Sequence, residues 1–205
     1  MSIFDDYKKN RDFLVCVDSD GCAMDTMDIK HFNCFGPEMI REWHLEEHAD
    51  AIQKRWNEVN LYEITRGINR FKGLLSALEE VNEKYGPVEG LDELKQWVQT
   101  TKELSNTALE KVLAERDSLI LSKALAWSQA VNSSIRKLPP EDNKPFNGVL
   151  DGLKAAHEQA DVAIVSSANH EAVTDQRMDE MMGNYVDIPS YEYPVATFQN
   201  DYIQI

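Results

Sequence analysis

Phe13-Leu14-Val15-Cys16-Val17 is an uninterrupted apolar run of five residues. It is too short for a helix and rich in strand formers, so it predicts a parallel strand buried on both faces. Asp161-Val162-Ala163-Ile164-Val165 predicts a second strand of the same kind. Just before it, Val149, Leu150, Leu153 and Ala156 recur at helical spacing within Gly148 to Ala160. From Pro37 to Leu138 the pattern changes character: it holds no convincing strand and reads as helix. Five segments stand out there, over residues 37–60, 71–85, 91–100, 105–114 and 118–138. Gly86-Pro87 breaks one helix from the next, and Ser105 suits an N-cap. Pro139, Pro140 and Pro145 punctuate the return to the α/β pattern. Tyr185-Val186-Asp187-Ile188 is a candidate third strand, and Val195 to Ile205 has strand formers in partial alternation.

A buried strand, a helical stretch of roughly a hundred residues, then helix and strand again is an α/β chain with a helical insertion. The expected division is an α/β core of residues 1–24 and 139–205 with an all-helical domain of residues 25–138. So short a sheet would leave the first strand as an exposed apolar edge. The tail from Val195 to Ile205 could cover that edge or pair with another chain, so a homo-oligomer is allowed.

Composition narrows the partners. An apolar fraction of 42% is enough to build a core, and 36 acidic against 21 basic residues give a net charge of −15. That balance argues against nucleic acid, which needs a basic footprint. It leaves room for a small anionic substrate, because a site can be locally positive inside an acidic protein. No stretch approaches 18 consecutive apolar residues, so no transmembrane helix and no membrane partner is expected. Met1 to Lys9 lacks the apolar run of a secretory signal. Cys16, Cys22 and Cys34 are odd in number, and Cys16 lies in an apolar run, as a buried small hydrophobe does. A disulfide framework is not expected, and the cytoplasm is the default location.

Both predicted strands run into residues suited to phosphate chemistry: Asp18-Ser19-Asp20-Gly21 after the first, Ser166-Ser167-Ala168-Asn169 after the second. In parallel sheets ligands sit beyond the carboxyl ends of the strands, so the two clusters are expected side by side. A carboxylate can attack phosphorus, and a second one two residues on can protonate the leaving oxygen and then deprotonate water. Gly21 permits the tight turn that aims both. Ser166, Ser167 and Asn169 can hold phosphate oxygens, helped by a helix N-terminus near His170.

A strand ending Asp-x-Asp-Gly, a helical insertion soon after it and a later strand ending in Ser resemble the haloacid dehalogenase (HAD) superfamily, as far as about Ala172. The likeness implies a HAD-like α/β core, an incomplete parallel sheet here, with a large all-helical cap after its first strand. It implies hydrolysis of a phosphate monoester on a small phosphorylated metabolite through an aspartyl-phosphate. Asp18 would be the nucleophile, Asp20 the general acid/base, and Ser166 the phosphate-binding hydroxyl. Mg²⁺ would be held by the Asp18 carboxylate and the Asp20 backbone carbonyl. The second Asp favours the phosphatase branch over true dehalogenases.

The family pattern continues with a Lys and an acidic Gly-Asp-Asp-like cluster. Here no lysine follows Lys154, Arg177 is the only Lys or Arg among the last fifty residues, and Asp187 and Asp201 lack that context. Two of the family's five strands have no candidate either. Truncation, a frameshift or an unusual substitution by the tail would explain the departure. Losing one preorganised electrostatic partner costs about 10²–10³ in rate, so the alternative is a catalytically impaired phosphate-binding or assembly module.

Four weaker signals remain. Arg66, Arg70 and Lys72, flanked by Gly67 and Gly73, form a basic loop that could face substrate or simply start a solvated helix. His44-Leu45-Glu46-Glu47-His48 matches the inverted zinc-peptidase pattern, with both histidines on one helical face, but reads better as an acidic solvated helix. His31 and Cys34 are a fainter ligand pair. Trp43, Trp56, Trp97 and Trp127 suit helix packing more than cofactor stacking.

Overall fold

The computed structural model describes residues 9–166 and 188–192. In chain order these form β1 (Leu14–Asp18), α1 (Met27–Lys30), α2 (Gly36–Glu42), α3 (Ala49–Asn57), α4 (Arg70–Lys84), α5 (Leu91–Thr100), α6 (Asn106–Glu115), α7 (Leu119–Arg136), α8 (Val149–His157), β2 (Asp161–Ser166) and β3 (Ile188–Glu192). Two π-helical turns (His31–Phe35 and Glu58–Tyr62) and 3-10 turns at Glu46–His48 and Pro140–Asp142 join them. The described residues group into an α/β unit, up to Thr26 and from Pro140 onward, and a helical unit, Met27–Pro139. Among them no helix is long and apolar enough to cross a membrane.

In the α/β unit the strands lie in the order β1-β2-β3, all parallel. β1 and β2 run in unbroken register from Leu14 beside Asp161 to Asp18 beside Val165. Asp161 locks that register. Its backbone N–H donates to the Phe13 carbonyl at 2.9 Å, and its Oδ2 accepts from the N–H groups of Asn10 (2.9 Å) and Arg11 (3.2 Å). Between β2 and β3 the register slips by one residue, with Ala163 beside Ile188 but Val165 beside Tyr191. Pro189 falls in that interval, and a residue without an N–H suits a bulge.

The expectation that the first strand is buried on both faces fails. Phe13, Leu14 and Val15 are 72%, 49% and 36% exposed, and Cys16 is only half-buried. β1 stands at the end of the described sheet, whereas β2 lies between two strands, contacts α8 and buries Val162 and Ala163. An apolar run reports strand propensity but not the strand's place in a sheet. The third strand begins at Ile188, the last residue of the segment expected to form it; residues 185–187 and the tail 195–205 lie outside the described residues.

The helical unit follows its predicted segments closely at their starts. Asn69 caps α4 by accepting from the Phe71 N–H, Ser105 caps α6 through Ala108, and Ser118 caps α7 through Leu121. Each such cap contributes about 1 kcal/mol. The apolar faces converge on a core in which Leu74, Leu78, Leu94, Leu109, Leu121 and Trp127 are wholly buried. α4 packs on α5, α6 on α7, and α2 on α3 and α7. Phe71 meets Trp97 and Trp127 edge-on, and Trp56 meets Trp127 likewise, so these tryptophans serve helix packing.

The segment expected as one helix over 37–60 is instead broken. The His44 N–H bonds to the Arg41 carbonyl and the Leu45 N–H to the Ile40 carbonyl, while His44 takes φ 55°. This is a Schellman stop with histidine, not glycine, in the left-handed position. The break also removes the zinc reading: His44 and His48 do not share a helical face, and His48 stacks on Tyr85 at 4.4 Å. Side chains add hydrogen bonds to carbonyls of the π-helical turns, the His31 carbonyl already accepting from the Gly36 N–H. Gln53 donates to the His31 carbonyl at 3.2 Å, and Arg66 to the Leu61 carbonyl at 3.0 Å. His31 accepts from the Trp56 indole at 3.0 Å and stacks on Phe35, so it is a core histidine. Cys34 is buried, and burial, with the Glu38 charge adding, pushes its thiol up to about 11. A thiol held neutral this way is a poor metal ligand.

Candidate active site

Beyond Asp18, the last residue of β1, the chain turns sharply. The Gly21 N–H donates to the Met24 carbonyl at 2.8 Å, and the Met24 N–H donates back to the Ser19 carbonyl at 2.8 Å. Gly21 takes φ 76°, a conformation that an L side chain strains to adopt. The turn is then anchored to residues 144–146. Asp25 N–H donates to the Lys144 carbonyl (2.9 Å), and Phe146 N–H donates to the Ala23 carbonyl (3.0 Å). Ser19, Ala23, Met24 and Thr26 are buried beneath it. The loop that carries both carboxylates is therefore tied down at each end.

Within it, the Thr26 hydroxyl donates to Asp20 Oδ1 at 2.6 Å, a charge-assisted bond from a side chain only 1% exposed. Asp18 is exposed at the strand end, yet partial desolvation by the protein around it pushes its carboxyl above the ordinary range. A hydrogen bond from the Ser19 backbone pulls it partly back, and the negative charge of Asp20 pushes it up again. Asp18 and Asp20 are thus close enough to feel each other's charge.

The register sets Ser166 opposite the position just past Asp18, at the carboxyl end of two parallel strands. The backbone thus brings both strand ends together, as parallel pairing requires. Ser167 and Asn169 lie outside the described residues.

No protein-family model matches the chain, and no curated protein matches it. Among solved structures, it is similar to a "putative phosphoglycolate phosphatase" from Lactobacillus delbrueckii subsp. bulgaricus. The TM-score is 0.50 at 14% identity, over 96% of this chain and 74% of that one. A likeness at this identity is one of fold.

The remaining sequence candidates sit in the helical unit. Arg70 donates through Nη1 to Asn132 Oδ1 (2.7 Å) and Ser128 Oγ (3.1 Å), and its guanidinium lies 5.1 Å from the Phe35 ring centroid. Arg66 holds a carbonyl of its own unit, and Lys72 is exposed. Among the described residues no group of three or more His, Cys, Asp or Glu side chains forms a ligating cluster.

Sequence reasoning missed Thr26. Its one visible signal is position, a threonine immediately before the helix that begins at Met27. Nothing in the sequence ties that hydroxyl to Asp20 rather than to the helix backbone.

Proposed function

We propose that this chain is a phosphatase acting on a small phosphorylated metabolite through an aspartyl-phosphate at Asp18. The observation that carries the proposal is the pair of carboxylates on an anchored turn at the end of β1, one strand away from Ser166. The HAD-like fold of a neighbour described as a phosphatase supports the same reading.

In the first step an Asp18 oxygen bonds to phosphorus while the ester P–O bond breaks, and Asp20 gives its proton to the departing alkoxide. In the second, Asp20 takes a proton from water. The water oxygen attacks phosphorus, and the bond to Asp18 breaks to release inorganic phosphate. Thr26 holds the Asp20 carboxylate in place for both transfers. Ser166, Ser167 and Asn169 are assigned to the phosphate oxygens; the Gly21 N–H is taken by the Met24 carbonyl, so Gly21 serves the turn rather than the phosphate. Arg66, Arg70 and Lys72 are assigned to recognition of the metabolite.

The donor chemistry fits Mg²⁺. The two carboxylates offer only hard oxygen, and magnesium is bound through one or two carboxylates plus substrate phosphate. Desolvation chiefly, and the Asp20 charge in smaller part, raise the Asp18 carboxyl, and a cation at that place would offset both. Asp18, with the backbone carbonyl of Asp20, would hold the ion, which would neutralise charge on the transferring phosphoryl group.

The test is hydrolysis of p-nitrophenyl phosphate with Mg²⁺, with EDTA, and by Asp18→Asn. Turnover that needs both Mg²⁺ and Asp18 is expected. Phosphate binding without turnover would instead make the chain a phosphate-binding module; turnover by Asp18→Asn would remove the nucleophile from the proposal.

A further inference from the structure

The helical unit carries a cavity of about 390 Å³ that the phosphatase reading does not use. It lies between the end of α4, the Gly86–Glu89 link and the first turns of α7, over Trp43 and Leu45. Sites of a few hundred Å³ with apolar walls and few polar groups are the usual form of a small-molecule pocket. Its walls mix apolar with polar surface in comparable measure. Val81, Tyr85, Pro87, Val88, Leu119 and Ile120 supply apolar surface, and Leu119 leaves 64% of itself exposed although it opens a buried helix.

Two polar features give the pocket a sign. Lys123 is half-buried, with its ammonium 5.2 Å from the Trp43 ring centroid. Among the described residues it has no carboxylate partner, in a chain whose net charge is −15. The Trp43 indole N–H is also buried without an acceptor among them. A cation held over an aromatic face by its packed stem and a neighbouring donor without an acceptor both call for an anionic acceptor. Glu89 lines the same cavity from the exposed link and opposes it.

We propose that this cavity binds a small carboxylate with an apolar body. The carboxylate pairs with Lys123 and accepts from the Trp43 N–H once that ring reorients on binding. The apolar body covers Leu119, Ile120, Val88 and Tyr85. The pocket is built from the helical unit alone, so the proposal stands apart from the chemistry at Asp18.

The chain has four tryptophans, so its indole N–H groups form a four-line NMR spectrum in which Trp43→Phe identifies one line. Titration with 3-phenylpropionate should move the Trp43 line downfield and saturably, while uncharged 3-phenylpropanamide leaves it in place. Lys123→Gln should weaken the acid about tenfold, the loss of one charged hydrogen bond, and Glu89→Gln should tighten it. No saturable shift at millimolar acid, equal binding of acid and amide, or unchanged affinity in a folded Lys123→Gln protein would each overturn the proposal.

Discussion

Replacing Thr26 with valine keeps the shape of a side chain that is 1% exposed while deleting the hydroxyl that donates to Asp20 at 2.6 Å. Hydrogen bonds to charged groups contribute about 1.5–3 kcal/mol, and Asp20 is only half-buried, so water replaces part of the loss. Removing a buried hydroxyl also returns some desolvation cost. The net expectation is about 1–2 kcal/mol. In a chain of this size 1 kcal/mol moves Tm by about 2–4 °C, so the variant should melt roughly 2–8 °C lower. The effect on turnover should be separable from this. Asp20 free to rotate is a poorer proton donor, so kcat should fall about tenfold or more while KM changes little. Thermal melting and p-nitrophenyl phosphate kinetics measure both, with Thr26→Ser as the control that restores the donor. A Thr26→Val protein with unchanged melting and unchanged kcat would refute the role given to this bond.

Asp18→Asn should raise stability at neutral pH. A carboxyl whose folded pKa lies above its unfolded value binds protons more tightly when folded, so its ionisation opposes folding increasingly as pH rises through the folded value. The gain should therefore vanish below the ordinary carboxylate range; melting curves at pH 7 and pH 3 that show the same difference would contradict this. Ser118→Ala removes both the cap on Leu121 and a 2.8 Å bond donated to Glu93, and should cost about 1–2 kcal/mol in denaturant unfolding. Leu121→Ala opens a cavity in the centre of the helical core and should cost about 2–5 kcal/mol, with a loss under 1 kcal/mol showing that the core collapses around it.

What the sequence reveals about this chain depends on whether the deciding interaction is local. The strand positions, the cap at Ser105 and the bounds of α5 come from periodicity and short-range hydrogen bonding. All of these are visible in a few adjacent residues. The break at His44 is not, because the left-handed position carries no glycine to announce it. At the two π-helical turns Gln53 and Arg66 add bonds to carbonyls 22 and 5 residues away in the chain. The exposure of Phe13 and Leu14 is fixed by strand order, which an apolar run does not encode. At the site, Asp18, Asp20 and Gly21 were legible as a motif, and parallel pairing explains why Ser166 sits beside them. Thr26 was not, since its hydroxyl could equally have capped α1.

The central claim is that Asp18 carries the phosphoryl group. Acid quenching during turnover of p-nitrophenyl phosphate with Mg²⁺, followed by borohydride reduction, converts an acyl phosphate to homoserine, which peptide mass spectrometry can locate. The account predicts homoserine at position 18, absent without substrate and absent in Asp18→Asn. Steady turnover with no modification at position 18, or modification at another carboxylate, would contradict it.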